Sequence, residues 1–386
     1  MKRPALLLPG RHVPALDGIR AVAILWVMAF HFFSSDTSQA HGLLRAAAGF
    51  FEQGWIGVHL FFALSGFLIT GILLDSVSDP YFFRRFYARR TLRIFPLYYG
   101  VLVVLLLLSP WLQIDWRGRA WIYFVYGQNC LRTQVPVSRF IDLRHFWSLA
   151  IEEQFYMVWP LLVYLIKDRR MLLGLMLLSA GAVCFRWEMT RQGVLEGVTR
   201  SIPLALLDGL LLGGAGALLL RTSAQIAALR WSGWVAAASV VGWFGVWWGA
   251  GSADWTTNGT VFVWGLLLLA VGSAALVVYA MRPDTLVARL LSLRPMQFLG
   301  KYSYGIYVLH FLLMAAAVPL RRHAFQLLQN KALAVLAGGV VLACISVAAA
   351  VLSYQGFEKQ FLKLKRFFDY SPGTQPHWQD LEKKGL

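Results

Sequence analysis

Apolar residues arrive in ten long runs separated by short polar or basic breaks, near 16-34, 54-74, 94-112, 147-166, 171-187, 201-220, 231-250, 259-281, 301-320 and 332-353. Crossing a hydrocarbon core takes roughly 17 to 25 helical residues, so each run predicts one membrane-spanning helix. The fifth is the most crowded, with Arg186 and Trp187 at its end. The pattern predicts an all-α, polytopic integral membrane protein of about ten transmembrane helices. No linker, repeat or second domain interrupts it, so one transmembrane unit is expected over 1-358. Residues 359-386 begin as a basic amphipathic segment, suited to lying on anionic lipid, and then turn polar.

Polar residues inside these runs are not scattered. Arg20 and His31 in the first run are eleven residues apart, which on a helix places them about 20° apart around the axis and about 16.5 Å along it. Ionisable groups in a span usually face the bundle interior, although an arginine near the end can also snorkel to the headgroups. The fourth run opens HFWSLAIEEQFY, in which His145, Ser148, Glu152 and Tyr156 form one stripe and Glu153 is rotated by about 100°. A carboxylate entering a span needs a partner, and Arg20 and His31 are the candidates. A carboxylate on an imidazole would orient a base. In the ninth run Ser303, Tyr307 and His310 share a face. In the second, Ser65 and Gly66 are small residues that let helices approach closely, a packing role that competes with a catalytic one for Ser65.

Composition adds sidedness. The chain has 386 residues, 58% of them hydrophobic and 14% charged, with net charge +17. In a soluble domain that charge would suggest nucleic acid; in a membrane protein it is read as topology, and no nucleic-acid partner is expected. With the N-terminus inside, 24 of the 36 Lys and Arg fall on the inner side, which puts both termini in the cytoplasm. The N-terminal leucine run, broken by Pro4 and Pro9, lacks the form of a signal peptide. The three cysteines offer no paired motif, so neither a disulfide framework nor a metal site is expected. Between the second and third runs lies YFFRRFYARRTLRIFPLYY. Its arginines serve topology and anionic lipid, but Arg93, at the mouth of the next helix, is also placed to take phosphates through a planar bidentate fork.

The ordered set of Arg20 with His31, GVHLFFALSGFLIT, RRTLRIFPLYY, FWSLAIEEQFY, SYGIYVLH and SYQGFE at 353-358 resembles the membrane-bound acyltransferase-3 family over essentially the whole chain. The resemblance implies O-acylation, most often acetylation, of an extracytoplasmic glycan or glycolipid such as lipopolysaccharide or peptidoglycan, at the bacterial cytoplasmic (inner) membrane. It implies acyl-CoA as donor substrate and no bound cofactor or metal. It marks His31, Arg20, Glu152 and Ser148 as catalytic residues, and Arg89, Arg90, Arg93, Tyr307 and His310 as the donor-binding set. Two positions depart from the family pattern: His59 stands where an acidic residue is common, and Gln360 where a proline often follows Glu358. Some members carry a C-terminal hydrolase-like domain. This chain is expected either to transfer directly or to hand the acyl group to a separate periplasmic partner. The competing reading is a transporter or flippase of a polar envelope precursor, with no covalent step.

Overall fold

The computed structural model describes residues 12–33, 49–130, 138, 141–166, 170–193, 202–251 and 254–369. Among them a helix stands at each of the ten predicted runs: α1 (Pro14–Phe33), α2 (Ile56–Ser76), α3 (Phe82–Leu107), α4 (Phe146–Ile166), α5 (Arg170–Arg191), α6 (Leu207–Leu219), α7 (Gln225–Ala250), α8 (Leu266–Ala280), α9 (Arg294–His310) and α10 (Lys331–Ser353). Among the described residues eight helical segments are long and apolar enough to cross a membrane. The two outside that set are α6, short even with the 3-10 turn that starts it at Pro203, and α7, whose Trp, Gly and Ser residues dilute its hydropathy.

Two boundaries differ from expectation. Helix α3 begins at Phe82, twelve residues before the apolar run, so the arginine segment is helix rather than loop. Arginine is a good helix former and hydropathy is blind to that. The C-terminal segment is no separate tail at its start: α10 runs through a π-turn at Tyr354–Glu358 into Lys359–Lys363 and the 3-10 turn Leu364–Phe368. This rod of 38 residues is about 57 Å long and outruns a ~30 Å hydrocarbon core.

Packing sets α1 against α2 and α9, α2 against α6 and α8, α5 against α6, and α9 against α10. Three of these contacts bring backbone to backbone: α1 with α2, where a Cβ on Gly57 would lie 2.4 Å from the Ala23 carbonyl oxygen, α2 with α6, and α1 with α9. A Cβ on Gly66 of α2 would lie 1.8 Å from the Leu210 carbonyl oxygen of α6, and one on Gly300 of α9 would lie 2.0 Å from that of Asp17 on α1. Small residues at such crossings let dispersion contacts replace the hydrophobic drive that lipid does not supply. Away from the site, Arg186 of α5 is fully buried and paired with Asp208 of α6 at 2.7 Å, with the carbonyls of Ala205 (2.7 Å) and Val263 (3.5 Å) as further acceptors. Val263 belongs to a π-helical turn, Val261–Gly265, at the start of the α8 rod. The sequence reading treated Arg186 as a crowded helix end. In the fold it is an ion pair that pins α5 to α6.

Candidate active site

A cavity of about 130 Å³ runs between α1, α2, α3, α4 and α9. Helix periodicity delivers its polar lining: Ser148, Glu152 and Tyr156 come from the α4 stripe, Ser303, Tyr304 and Tyr307 from α9, Ser65 from α2, Arg20 from α1, and Arg90 and Arg93 from α3. Arg20 and Arg93 also line an adjoining hollow with Asp17, Gln297 and Lys301, so the two guanidiniums stand at the waist between mouth and interior. Arg20 is held by Asp17 of its own helix at 2.5 Å. Arg90 lies over the Tyr156 ring at 5.4 Å. Arg89 turns away from the cavity, paired with Asp369 and hydrogen-bonded to the Phe368 carbonyl at 3.4 Å. Of the three arginines grouped for the donor, two line the cavity and Arg89 does not.

Glu152 does not orient His31, as the sequence had suggested. Its carboxylate accepts from Ser65 Oγ at 2.9 Å and from Tyr156 at 3.3 Å, and Tyr156 also reaches Ser65 at 3.0 Å. Ser65 is therefore more than the packing residue it resembled. Nothing in the sequence pairs it with Glu152, because the two sit 87 residues apart on different helices.

The partner of His31 is His310. Their Nδ1 and Nε2 atoms lie 2.9 Å apart, and Nδ1 of His310 faces the carbonyl oxygens of Tyr307 (2.8 Å) and Ile306 (3.1 Å). A carbonyl only accepts, so Nδ1 of a neutral His310 carries its proton and Nε2 presents a lone pair. That lone pair takes the Nδ1 proton of His31, which leaves Nε2 of His31 as the free basic nitrogen. His310, grouped above with the donor, thus serves the histidine of α1. A similar chain starts at the cavity wall. Tyr307 Oη donates to the His145 carbonyl at 2.8 Å, so in its 2.5 Å contact with Ser148 Oγ the serine is the donor. The His145 ring lies 5.4 Å from that of His310. Ser148 and Tyr307 line the cavity, the His310 ring lies 5.7 Å from that of Tyr307, and the His31 ring lies 5.0 Å beyond, outside the cavity lining. Among the described residues no group of three His, Cys, Asp or Glu is disposed to hold a metal ion. His59 lies outside the cavity lining, its ring edge-on to those of Trp55 and Phe62.

The model of one protein family, described as an acyltransferase domain, matches residues 13–354, a stretch that contains every side chain lining the cavity and both histidines of the pair. The chain belongs to the acyltransferase-3 family. Among similar proteins, the peptidoglycan O-acetyltransferase OatA of Listeria monocytogenes is 29% identical over 80% of this acyltransferase-3 chain and 50% of its own length. The putative peptidoglycan O-acetyltransferase YrhL of Bacillus subtilis is 30% identical over 90% and 55%. The O-acetyltransferase OatA of Staphylococcus aureus is 27% identical over 80% and 52%. The chain spans about half the length of these relatives. No solved structure matches it. Within the family stretch, α1 and α9 carry His31 and His310, α2 and α4 carry Ser65 and Glu152, and α3 supplies Arg90 and Arg93.

Proposed function

We propose that the chain is a membrane O-acetyltransferase that moves an acetyl group from acyl-CoA to a glycan hydroxyl, with peptidoglycan the acceptor that its relatives' names point to. The observation that carries this reading is the layout of one path. Guanidiniums stand at the waist, hydroxyls and a carboxylate line the interior, and a base of fixed tautomer lies beyond Tyr307 and His310. Phosphates of the donor engage Arg93, Arg90 and Arg20 through charge-assisted contacts, and the thioester arm passes through the cavity, beyond Ser148 and Tyr307, to the His31 and His310 pair. The acceptor hydroxyl arrives from the His31 end. Nε2 of His31 takes its proton, the oxygen attacks the thioester carbonyl, and the C–S bond breaks. The imidazolium then returns the proton to the leaving thiolate. Glu152, held by Ser65 and Tyr156, supplies negative charge opposite the arginines.

The Lys and Arg asymmetry supports placing the arginine mouth and both termini in the cytoplasm, with the acceptor on the outer face of the cytoplasmic membrane. Membrane lipid is then a constant partner. Direct transfer needs no further protein, whereas handing on to a separate periplasmic partner remains compatible with the family. Purified protein in vesicles, given radiolabelled acetyl-CoA and a muropeptide acceptor, tests the reading. Label in the glycan supports it. A protein that moves the glycan across the bilayer and leaves it unlabelled is a transporter, and the proposal fails.

A further inference from the structure

The helical rod that begins with α10 does not end with the bundle. Its last turns lie against the basic first half of α3. The Phe368 carbonyl and Asp369 both engage Arg89, and the Phe368 ring sits 5.9 Å from the Arg84 guanidinium carbon. Lys365 lies one turn before Phe368, on the partly buried side of the segment, while its neighbours Leu364 and Phe367 are exposed on the other. The rod runs antiparallel to α3, with Phe357 against Gly100 at one end and Phe368 and Asp369 on Arg89 at the other, so Lys365 falls between these contacts, within electrostatic reach of Arg89, Arg90 and Arg93.

Like charges gathered on one spot repel, so bringing Lys365 up to Arg90 and Arg93 gains nothing until an anion arrives to meet them. The nearby carboxylates are already engaged. Asp369 is taken by Arg89 and Asp17 by Arg20; Glu358 accepts from Ser353 at 3.2 Å and stands near Arg93. Among the described residues Lys365 makes no ion pair. Of these cations Arg90 and Arg93 line the cavity, so an anion bound there is the one that Lys365, beside them on the rod, meets.

We propose that Lys365, carried in by the C-terminal rod, is a further ligand for the phosphate groups of the donor. The inference rests on the donor reading given above. It makes the segment after Glu358 a part of the donor site rather than a membrane-surface anchor alone. An anionic lipid headgroup offers the same phosphate chemistry, and the experiment separates the two.

The full chain is placed in phosphatidylcholine nanodiscs, and Kd is measured calorimetrically for coenzyme A and for pantetheine, which lacks the phosphates. Lys365→Ala is expected to weaken coenzyme A about tenfold and leave pantetheine unchanged, while Lys365→Arg stays within about twofold of the parent. Adding phosphatidylglycerol should leave the Lys365→Ala effect in place. An unchanged Kd for coenzyme A in Lys365→Ala overturns the proposal, as does an equal loss for pantetheine or an effect seen only with phosphatidylglycerol present. Arg93→Lys is the control for the underlying reading. If it weakens coenzyme A and Lys365→Ala does not, only the role of Lys365 falls; if neither does, the donor site falls with it.

Discussion

Replacing His310 separates two jobs that the imidazole pair of α1 and α9 performs. His31 is the base, and His310 only holds its Nδ1 proton in place through the 2.9 Å contact. His310→Leu keeps the volume and removes the acceptor. A neutral hydrogen bond of this kind is worth about 0.5–1.5 kcal/mol, so losing it should lower kcat by about 2- to 13-fold as His31 samples the unproductive tautomer. His310→Gln can still accept through Oε1 and should come back to within about twofold of the parent. His31→Gln removes the base itself and should cost about 10² to 10⁴ in rate. Because His310 acts through His31, the double variant His31→Gln/His310→Leu should be no slower than His31→Gln alone. The assay is acetyl transfer from acetyl-CoA to muropeptide by protein in vesicles, with thermal unfolding of each variant to show that the fold survives. The reasoning is wrong if His310→Gln falls as far as His31→Gln, which would make His310 the base. It is also wrong if the two single losses add in the double variant.

Three further outcomes follow from the geometry. Arg93→Lys keeps the charge but loses the planar fork at the waist of the cavity, so KM for acetyl-CoA should rise about tenfold; Arg89→Ala, whose guanidinium is spent on Asp369 and Phe368, should change it less than about twofold. Steady-state kinetics decide, and an equal rise in both would return Arg89 to the donor site. Asp208→Asn strands the fully buried Arg186 charge and should destabilise the protein by about 3–5 kcal/mol in detergent unfolding, whereas Arg186→Met with Asp208→Leu should recover most of that loss; an Asn variant within about 1 kcal/mol of the parent counts against the pair. Gly66→Ala should cost about 3 kcal/mol, because its Cβ meets the Leu210 carbonyl oxygen at 1.8 Å and forces α2 from α6. Normal thermal stability in that variant would mean the helices are further apart than described.

Periodicity in the sequence located what one helix can encode. The positions of the ten helices, the α4 stripe of Ser148, Glu152 and Tyr156, and the common direction of Arg20 and His31 toward α9 are all repeats of about 3.6 residues. Pairings between helices carry no such signature. Chemistry alone offers Arg20 and His31 as partners for Glu152, yet its hydrogen bonds go to Ser65 and Tyr156, while His31 meets a second histidine 279 residues away. The same blindness hid Asp208 behind an apolar run and left Arg186 reading as a helix end. Hydropathy places the start of α3 too late because it registers apolar surface, and the first three turns of that helix are basic.

The contact between Gly300 and Asp17 leaves no gap in which α1 and α9 can slide. Asp17 anchors Arg20 at one end of α1, and His31 meets α9 again at the other. The mouth and the base are therefore mounted on a single rigid strut, about 16.5 Å apart along its axis by helix geometry. A strut of set length acts as a ruler. It is the substrate that must bridge the interval, and a donor qualifies by the reach of its arm as much as by its charge: one whose thioester lies too close to its phosphates would dock fully at the arginines and still stop short of the histidine.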